Sequence, residues 1–157
     1  MTTYDFTKQL ERGEQGETRL DGLFAQREYL IRPATRDEQR RGIDRWMTNA
    51  RTGKVTAVEY KTDDLASKTG NAFIETVSVD TANKPGWAYS SEAEFLIYYL
   101  PQDELIYIVP FERLRRRLPR WEQTYPKRSA QNEGYQTHGL LVPLCELEGI
   151  AYVWEAA

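Results

Sequence analysis

Two β-rich runs, Ile43 to Asn49 and Lys54 to Thr62, flank the tetrapeptide Ala50-Arg51-Thr52-Gly53. Apolar and β-branched residues on both sides of a glycine-ended turn predict a hairpin. A hairpin constrains more than local structure, because its loop fixes the register and the register assigns every side chain to a face. With a symmetric two- or four-residue loop at 50–53, residues whose numbers sum to 103 oppose each other. Asp44 and Glu59 are such a pair, with Cβ atoms expected about 4.5–5.5 Å apart. Lys61, two residues beyond Glu59, shares the same face. An odd-length loop would slip the register by one and part the two acids.

Two opposed carboxylates repel unless a cation lies between them, and hard oxygen ligands suit Mg²⁺ or Mn²⁺. Such an ion would polarise a phosphate oxygen and acidify a water. Lys61 would orient that water or offset the charge gathering on the phosphate. Glu17, on the first predicted helix, would complete the inner or outer ligand set. The expected catalytic set is therefore Glu17, Asp44, Glu59 and Lys61, with Asp44, Glu59 and Glu17 as metal ligands. The bland alternative is a surface strand end that carries a Glu-Lys pair.

Composition removes competing chemistries. The single cysteine, Cys145, excludes an internal disulfide framework and a thiolate zinc site built within one chain, and a reducing cytoplasm is the expected compartment. With one histidine, His138, there is no two-histidine metal motif, and a Ser-His-Asp triad would have to use that residue. Glycine-rich phosphate loops are absent. Met1 to Glu14 has no apolar core of a secretory signal, and no apolar run is long enough to span a bilayer. A length of 157 residues suits one domain. The net charge is −3, yet the segment Leu105 to Arg128 carries seven basic residues against Glu112 and Glu122. A local basic face on an acidic body follows.

Along the rest of the chain, Phe6, Leu10, Leu20, Leu23 and Phe24 predict a helix over 5–27, weakened in its middle by Gly13 and Gly16. Glu28 to Arg32 reads as a short strand and 34–42 as a charged, mobile segment. Asp63 to Gly70 reads as a loop, and Asn71 to Asp80 as a third strand next to the hairpin. Lys84-Pro85-Gly86 reads as a turn. Ser90 to Tyr99 reads as a helix, with a strand as the alternative. Leu105 to Val109 predicts a buried strand, and Pro110 opens a helix with Phe111, Leu114 and Leu118 inward. Residues 119–137 read as irregular. Leu140 to Leu144 predicts a late strand, followed by a short helix over 144–151. The order implies an α/β or α+β layer fold.

The pattern resembles the PD-(D/E)xK nuclease superfamily. Gly42-Ile43-Asp44 is similar to its first motif and Val58-Glu59-Tyr60-Lys61 to its second. The segment Gly13-Glu14-Gln15-Gly16-Glu17, followed by Leu20, Leu23 and Phe24, is similar to the opening helix of archaeal-type Holliday junction resolvases, with Glu17 at the position of the helical active-site glutamate. The match is motif-level and covers roughly residues 10–80. It implies a restriction-endonuclease-like mixed β-sheet flanked by helices, with residues 1–157 as one such domain. It also implies Mg²⁺ dependence and hydrolysis of phosphodiester bonds in duplex or branched DNA. A homodimer is left open.

Arg36, Arg40, Arg41 and Arg45 surround Asp44 and would clamp phosphates, or form a solvated loop. Arg115, Arg116 and Arg117 lie in the basic helix, where Trp121 would stack on a base or join the core. Glu75 is assigned to a sheet edge or a structural partner, and Trp46 and Trp87 to the core. Two other readings remain: a non-catalytic nucleic-acid- or protein-binding module that keeps the nuclease fold, and a protein whose basic helix docks an acidic partner.

Overall fold

The computed structural model describes residues 3–156, and within them the side chains of residue 8 and of residues 10–156. Its secondary structure runs α1 (Thr3–Gln26), β1 (Tyr29–Pro33), α2 (Arg36–Arg40), β2 (Arg45–Asn49), β3 (Val55–Thr62), α3 (Ala66–Thr69) and β4 (Asn71–Val79). It continues with β5 (Lys84–Pro85), α4 (Trp87–Ser90), β6 (Phe95–Leu100), β7 (Leu105–Pro110) and α5 (Phe111–Thr124). The last elements are β8 (Lys127–Asn132), β9 (Tyr135–Pro143), α6 (Leu144–Glu148) and β10 (Tyr152–Glu155).

The hairpin forms in the predicted register from Arg45 onward, but Asp44, expected directly opposite Glu59, lies outside the paired ladder, with its N–H turned to the Val58 carbonyl instead. Arg45 pairs with Val58, Trp46 with Ala57 and Met47 with Thr56, the register in which numbers sum to 103. The loop closes because Asn49 Oδ1 accepts the N–H groups of Arg51 (2.9 Å) and Thr52 (3.2 Å), while Gly53 N–H reaches the Asn49 carbonyl at 2.8 Å. Around this hairpin a six-stranded sheet assembles in the order β1-β2-β3-β6-β7-β10. The β3–β6 pair is parallel and its other pairs are antiparallel, so the sheet is mixed.

One face of this sheet carries α1. Leu20, Leu23 and Phe24 pack against Met47, Val58, Tyr60, Ile97 and Ile106. Leu10 is exposed rather than on that inner face, and Phe6 lies outside the described side chains. Gly16 works against helix propensity but lets α1 approach β3 closely: a Cβ there would stand 2.0 Å from the Thr62 hydroxyl. The other face, with Ala57, Leu96, Tyr98 and Val109, meets a second core layer. That layer comprises Phe111, Leu114, Leu118 and Trp121 of α5 together with Ile74, Leu140 and Val142 of a four-stranded antiparallel sheet, ordered β5-β4-β9-β8. Among the described residues no helix is long and apolar enough to cross a membrane.

Several expectations are corrected. Residues 34–42 are ordered around α2, because Thr35 and Glu38 form a reciprocal capping box. The predicted loop over 63–70 contains α3, and Lys84–Pro85 pairs with β4 as β5. β4 joins the second sheet, and β6 rather than β4 lies beside β3. Ser90 to Tyr99 is chiefly strand: β6 is buried on both faces, so it lacks the alternation that marks a half-exposed strand. Residues 119–137 continue α5 through Pro119 and then form β8 and the start of β9. The C-terminal helix ends at Glu148 and gives way to β10.

Candidate active site

Asp44 sits where β2 leaves the regular ladder. Arg45 is the residue registered with Val58, yet the Asp44 N–H reaches the Val58 carbonyl at 2.9 Å, one residue out of step with the ladder. Asp44 Oδ2 then accepts the Tyr60 N–H at 2.7 Å, standing in for a main-chain acceptor. The turn before it is pinned by α2, since Ile43 N–H donates to the Glu38 carbonyl at 3.0 Å and Trp46 Nε1 to Glu38 Oε2 at 2.7 Å. The carboxylate is thus held against the β3 backbone at Tyr60.

Glu59 and Lys61 follow Ala57 onto the face that meets the second sheet. Glu59 is only 5% exposed. Lys61 Nζ lies 3.4 Å from its Oε1. The Ser91 hydroxyl stands nearby, but its one proton goes to the Gly42 carbonyl (2.7 Å), and Glu59 Oε2 is buried without a donor. Burial raises the Glu59 carboxyl above its usual range; the Lys61 charge opposes that shift and Asp44 adds to it.

Two further acids surround this pair. Glu17 reaches it from α1: burial first, and then the Asp44 charge, raise its pKa, against the pull of Arg45. Arg45 lies 3.5 Å from Glu17 and 3.0 Å from Asp21, and Tyr60 Oη donates to Asp21 at 2.9 Å. Glu75 approaches from β4. Its Oε1 accepts the Trp87 N–H at 3.2 Å, and burial raises its pKa while the Lys61 charge lowers it.

The structure therefore gathers Glu17, Asp44, Glu59 and Lys61 at one end of β3, each coupled to the next through charge or contact. No set of three or more His, Cys, Asp or Glu side chains among the described residues is close enough to hold a metal by itself. Sequence reasoning missed Asp21 and Ser91 and set Glu75 aside. Asp21 was discoverable, since Glu17 and Asp21 are four apart on one helix face. The contributions of Ser91 and Glu75 depend on long-range packing that no local pattern reports.

The arginines divide. Arg45 is an internal counter-charge with a 13% exposed side chain, not a phosphate clamp. Arg115 turns inward and donates to the carbonyls of Ala88 and Ser91. Arg40 pairs with Asp37 at 3.0 Å, Arg41 with Glu92 at 3.7 Å and Arg116 with Glu112 on the exposed helix face, while Arg36 and Arg117 are exposed. Trp121 is fully buried and cannot stack on a base. Trp87 is core, and Trp46 is partly buried against it. His138 does lie between Ser129 (2.7 Å) and Asp80 (3.7 Å). The second distance is too long for the hydrogen bond that orients a triad imidazole.

No family model matches the chain, and no curated protein does. A solved bacterial homing endonuclease shares the fold. That protein, I-Ssp6803I, superposes with a TM-score of 0.55 over 89% of this chain and 86% of its own. Sequence identity to I-Ssp6803I is 15%, so the likeness is one of fold. The mixed sheet flanked by helices that the sequence implies is the architecture found.

Proposed function

We propose that this chain is a divalent-metal-dependent endodeoxyribonuclease of the PD-(D/E)xK kind, with residues 1–157 acting as one nuclease-like domain. The observation that carries the reading is Glu59: a nearly buried carboxylate with an unpartnered oxygen, next to Asp44 and beside a lysine two residues on. Folding tolerates an orphaned buried oxygen poorly, so its retention marks a place where something else binds. The homing endonuclease fold supports the same reading.

The residues fit Mg²⁺ or Mn²⁺. Mg²⁺ commonly takes one or two carboxylates and completes its shell with water and substrate phosphate, so a three-carboxylate cage is not required. Glu59 and Asp44 would hold the ion, and Glu17 would join them at the α1 side. A bound ion would supply Lewis acidity toward a phosphate oxygen. The chain's own residues supply the rest. Glu59 Oε2 and Asp44 Oδ1, the oxygens not spent on protein donors, provide the negative seat. Lys61 keeps its ammonium at the rim, where it would align the attacking water and offset charge on the phosphorane. Arg45, itself held by Asp21, fixes Glu17 from behind.

The test incubates the protein with plasmid, linear duplex and four-way-junction DNA in Mg²⁺, Mn²⁺ or EDTA. Cleavage is expected with either ion and lost in EDTA, in Asp44→Ala and in Glu59→Ala. Cleavage that survives chelation or both substitutions would refute the mechanism.

A further inference from the structure

We infer that the β8–β9 hairpin reads base sequence from the major groove of duplex DNA. The inference rests on the proposed action on DNA and deepens it to a substrate class. β8 is unusual for a strand: Lys127 through Gln131 are all exposed, so neither of its faces serves the core. Its sequence, Lys-Arg-Ser-Ala-Gln-Asn, has no large apolar residue. Shielding a sheet edge against aggregation would account for Lys127 and Arg128. It does not account for two bare faces, nor for the order among the polar side chains at the hairpin's end.

That order is specific. Gln131 lies across from Gln136, and Gln136 Nε2 donates to Gln131 Oε1 at 2.9 Å. Gln131 Nε2 is anchored on the carbonyls of Asn132 (2.9 Å) and Tyr135 (3.4 Å). On the opposite face Asn132 Nδ2 donates to Thr137 Oγ1 at 2.8 Å. Asp80 accepts the Gln136 N–H at 3.0 Å, so β4 braces the hairpin almost to its turn. One N–H of the Gln136 amide is thereby tied to Gln131, while its carbonyl oxygen and second N–H have no partner among the described residues. Glutamine offers this donor–acceptor pair to the N6 and N7 edge of adenine, and a two-stranded ribbon fits a groove about 12 Å wide. Glu133 at the turn is no phosphate ligand but can accept from cytosine N4.

The hairpin is also in the right place. Glu75, beside Lys61, pairs with Gly139, and Gly139 pairs with Arg128. Two strand spacings, about 10 Å, separate the Arg128 row from the Glu75 row, and the hairpin continues about 13 Å beyond it. That reach exceeds the depth of the major groove, about 8.5 Å. Lys127 and Arg128 at its root have no ion-pair partner among the described residues and, as neighbours on a strand, project from its two opposite faces. They would take backbone phosphates while the tip reads bases.

A binding selection from a randomised DNA duplex pool, run in EDTA so that nothing is cut, tests this separately from cleavage. Wild type is expected to enrich a defined motif. Gln136→Ala, checked for an unchanged melting temperature, should lower the preference for that motif over its single-base variants by about 5- to 150-fold, with affinity for random duplex held within about twofold. Lys127→Ala/Arg128→Ala should weaken all duplexes alike and reduce the slope of log K against log salt by about 1.8. An RNA duplex of the same sequence should not be discriminated, because its major groove is too narrow to enter. No enriched motif, a motif that survives both Gln136→Ala and Gln131→Ala, or equal selection on RNA would overturn the inference. Failure to bind duplex while junction DNA is still cut with Mg²⁺ would overturn it and leave the nuclease reading standing.

Discussion

Glu59→Gln should make the protein more stable and inactive at once. The wild-type carboxylate is 5% exposed and leaves Oε2 buried without a donor. Such an atom costs about 1–3 kcal/mol, and the glutamine amide would relieve it by donating an N–H to the Ser91 hydroxyl oxygen, whose own proton is spent on Gly42. The opposing loss is the Lys61 pair, at 3.4 Å with the lysine side chain 38% exposed, worth at most about 1 kcal/mol. A net gain of about 0–3 kcal/mol follows, and for a chain of this size each kcal/mol moves the melting temperature by about 2–4 °C. A rise of up to about 12 °C by scanning calorimetry without metal is therefore expected, and no fall. The pH dependence has a fixed sign. The folded pKa of Glu59 lies above its ordinary 4.5, so between those values the native state binds more protons than the unfolded chain. Wild-type stability should fall as pH rises from about 4.5 through the raised value, and Glu59→Gln should remove that component. Glu17 and Glu75 shift in the same direction and would keep theirs. Mn²⁺ should raise the wild-type melting temperature by mass action and leave the variant unmoved. A variant less stable than wild type would refute the reasoning, because Glu59 would then be a structural ion-pair partner.

Two other substitutions probe the frame. Gly86→Ala puts a Cβ 2.4 Å from the Glu75 carbonyl oxygen, a backbone clash expected to cost about 1–3 kcal/mol in denaturant titration and to lower cleavage through Glu75 and Lys61. Tyr98→Phe removes a buried hydroxyl that donates to Asp63 and accepts the Phe73 N–H at 3.2 Å, a loss of about 1–3 kcal/mol by the same titration with the cleavage pH profile unchanged.

The hairpin and its register could be read because everything that sets them is local: a loop of four residues, an asparagine at its start and two apolar runs. The inward face of α5 was equally plain from the spacing of Phe111, Leu114 and Leu118. The ordering of α2 was legible too, in Thr35 and Glu38 three apart, but a dense arginine content drew the reading toward disorder. β6 could not be recognised by period, since a strand between two covered faces has none. The pairing of β4 with β9 joins residues more than sixty positions apart, and no short-range pattern encodes it. The candidate site follows the same division. Asp44, Glu59 and Lys61 are consequences of the hairpin, whereas Glu75, Ser91 and the inward turn of Arg115 arise only when distant elements pack.

Lys61 is poised between acids from two different sheets: Glu59 is its neighbour on β3, while Glu75 arrives on a strand whose partner, β9, follows more than sixty residues later in the chain. A ribosome that has emitted the first hundred residues has displayed Asp44, Glu59 and Lys61 but not the strand that steadies Glu75. The cluster is therefore complete only once β9 has been made, and a product truncated before it would carry Asp44, Glu59 and Lys61 without Glu75 steadied beside them.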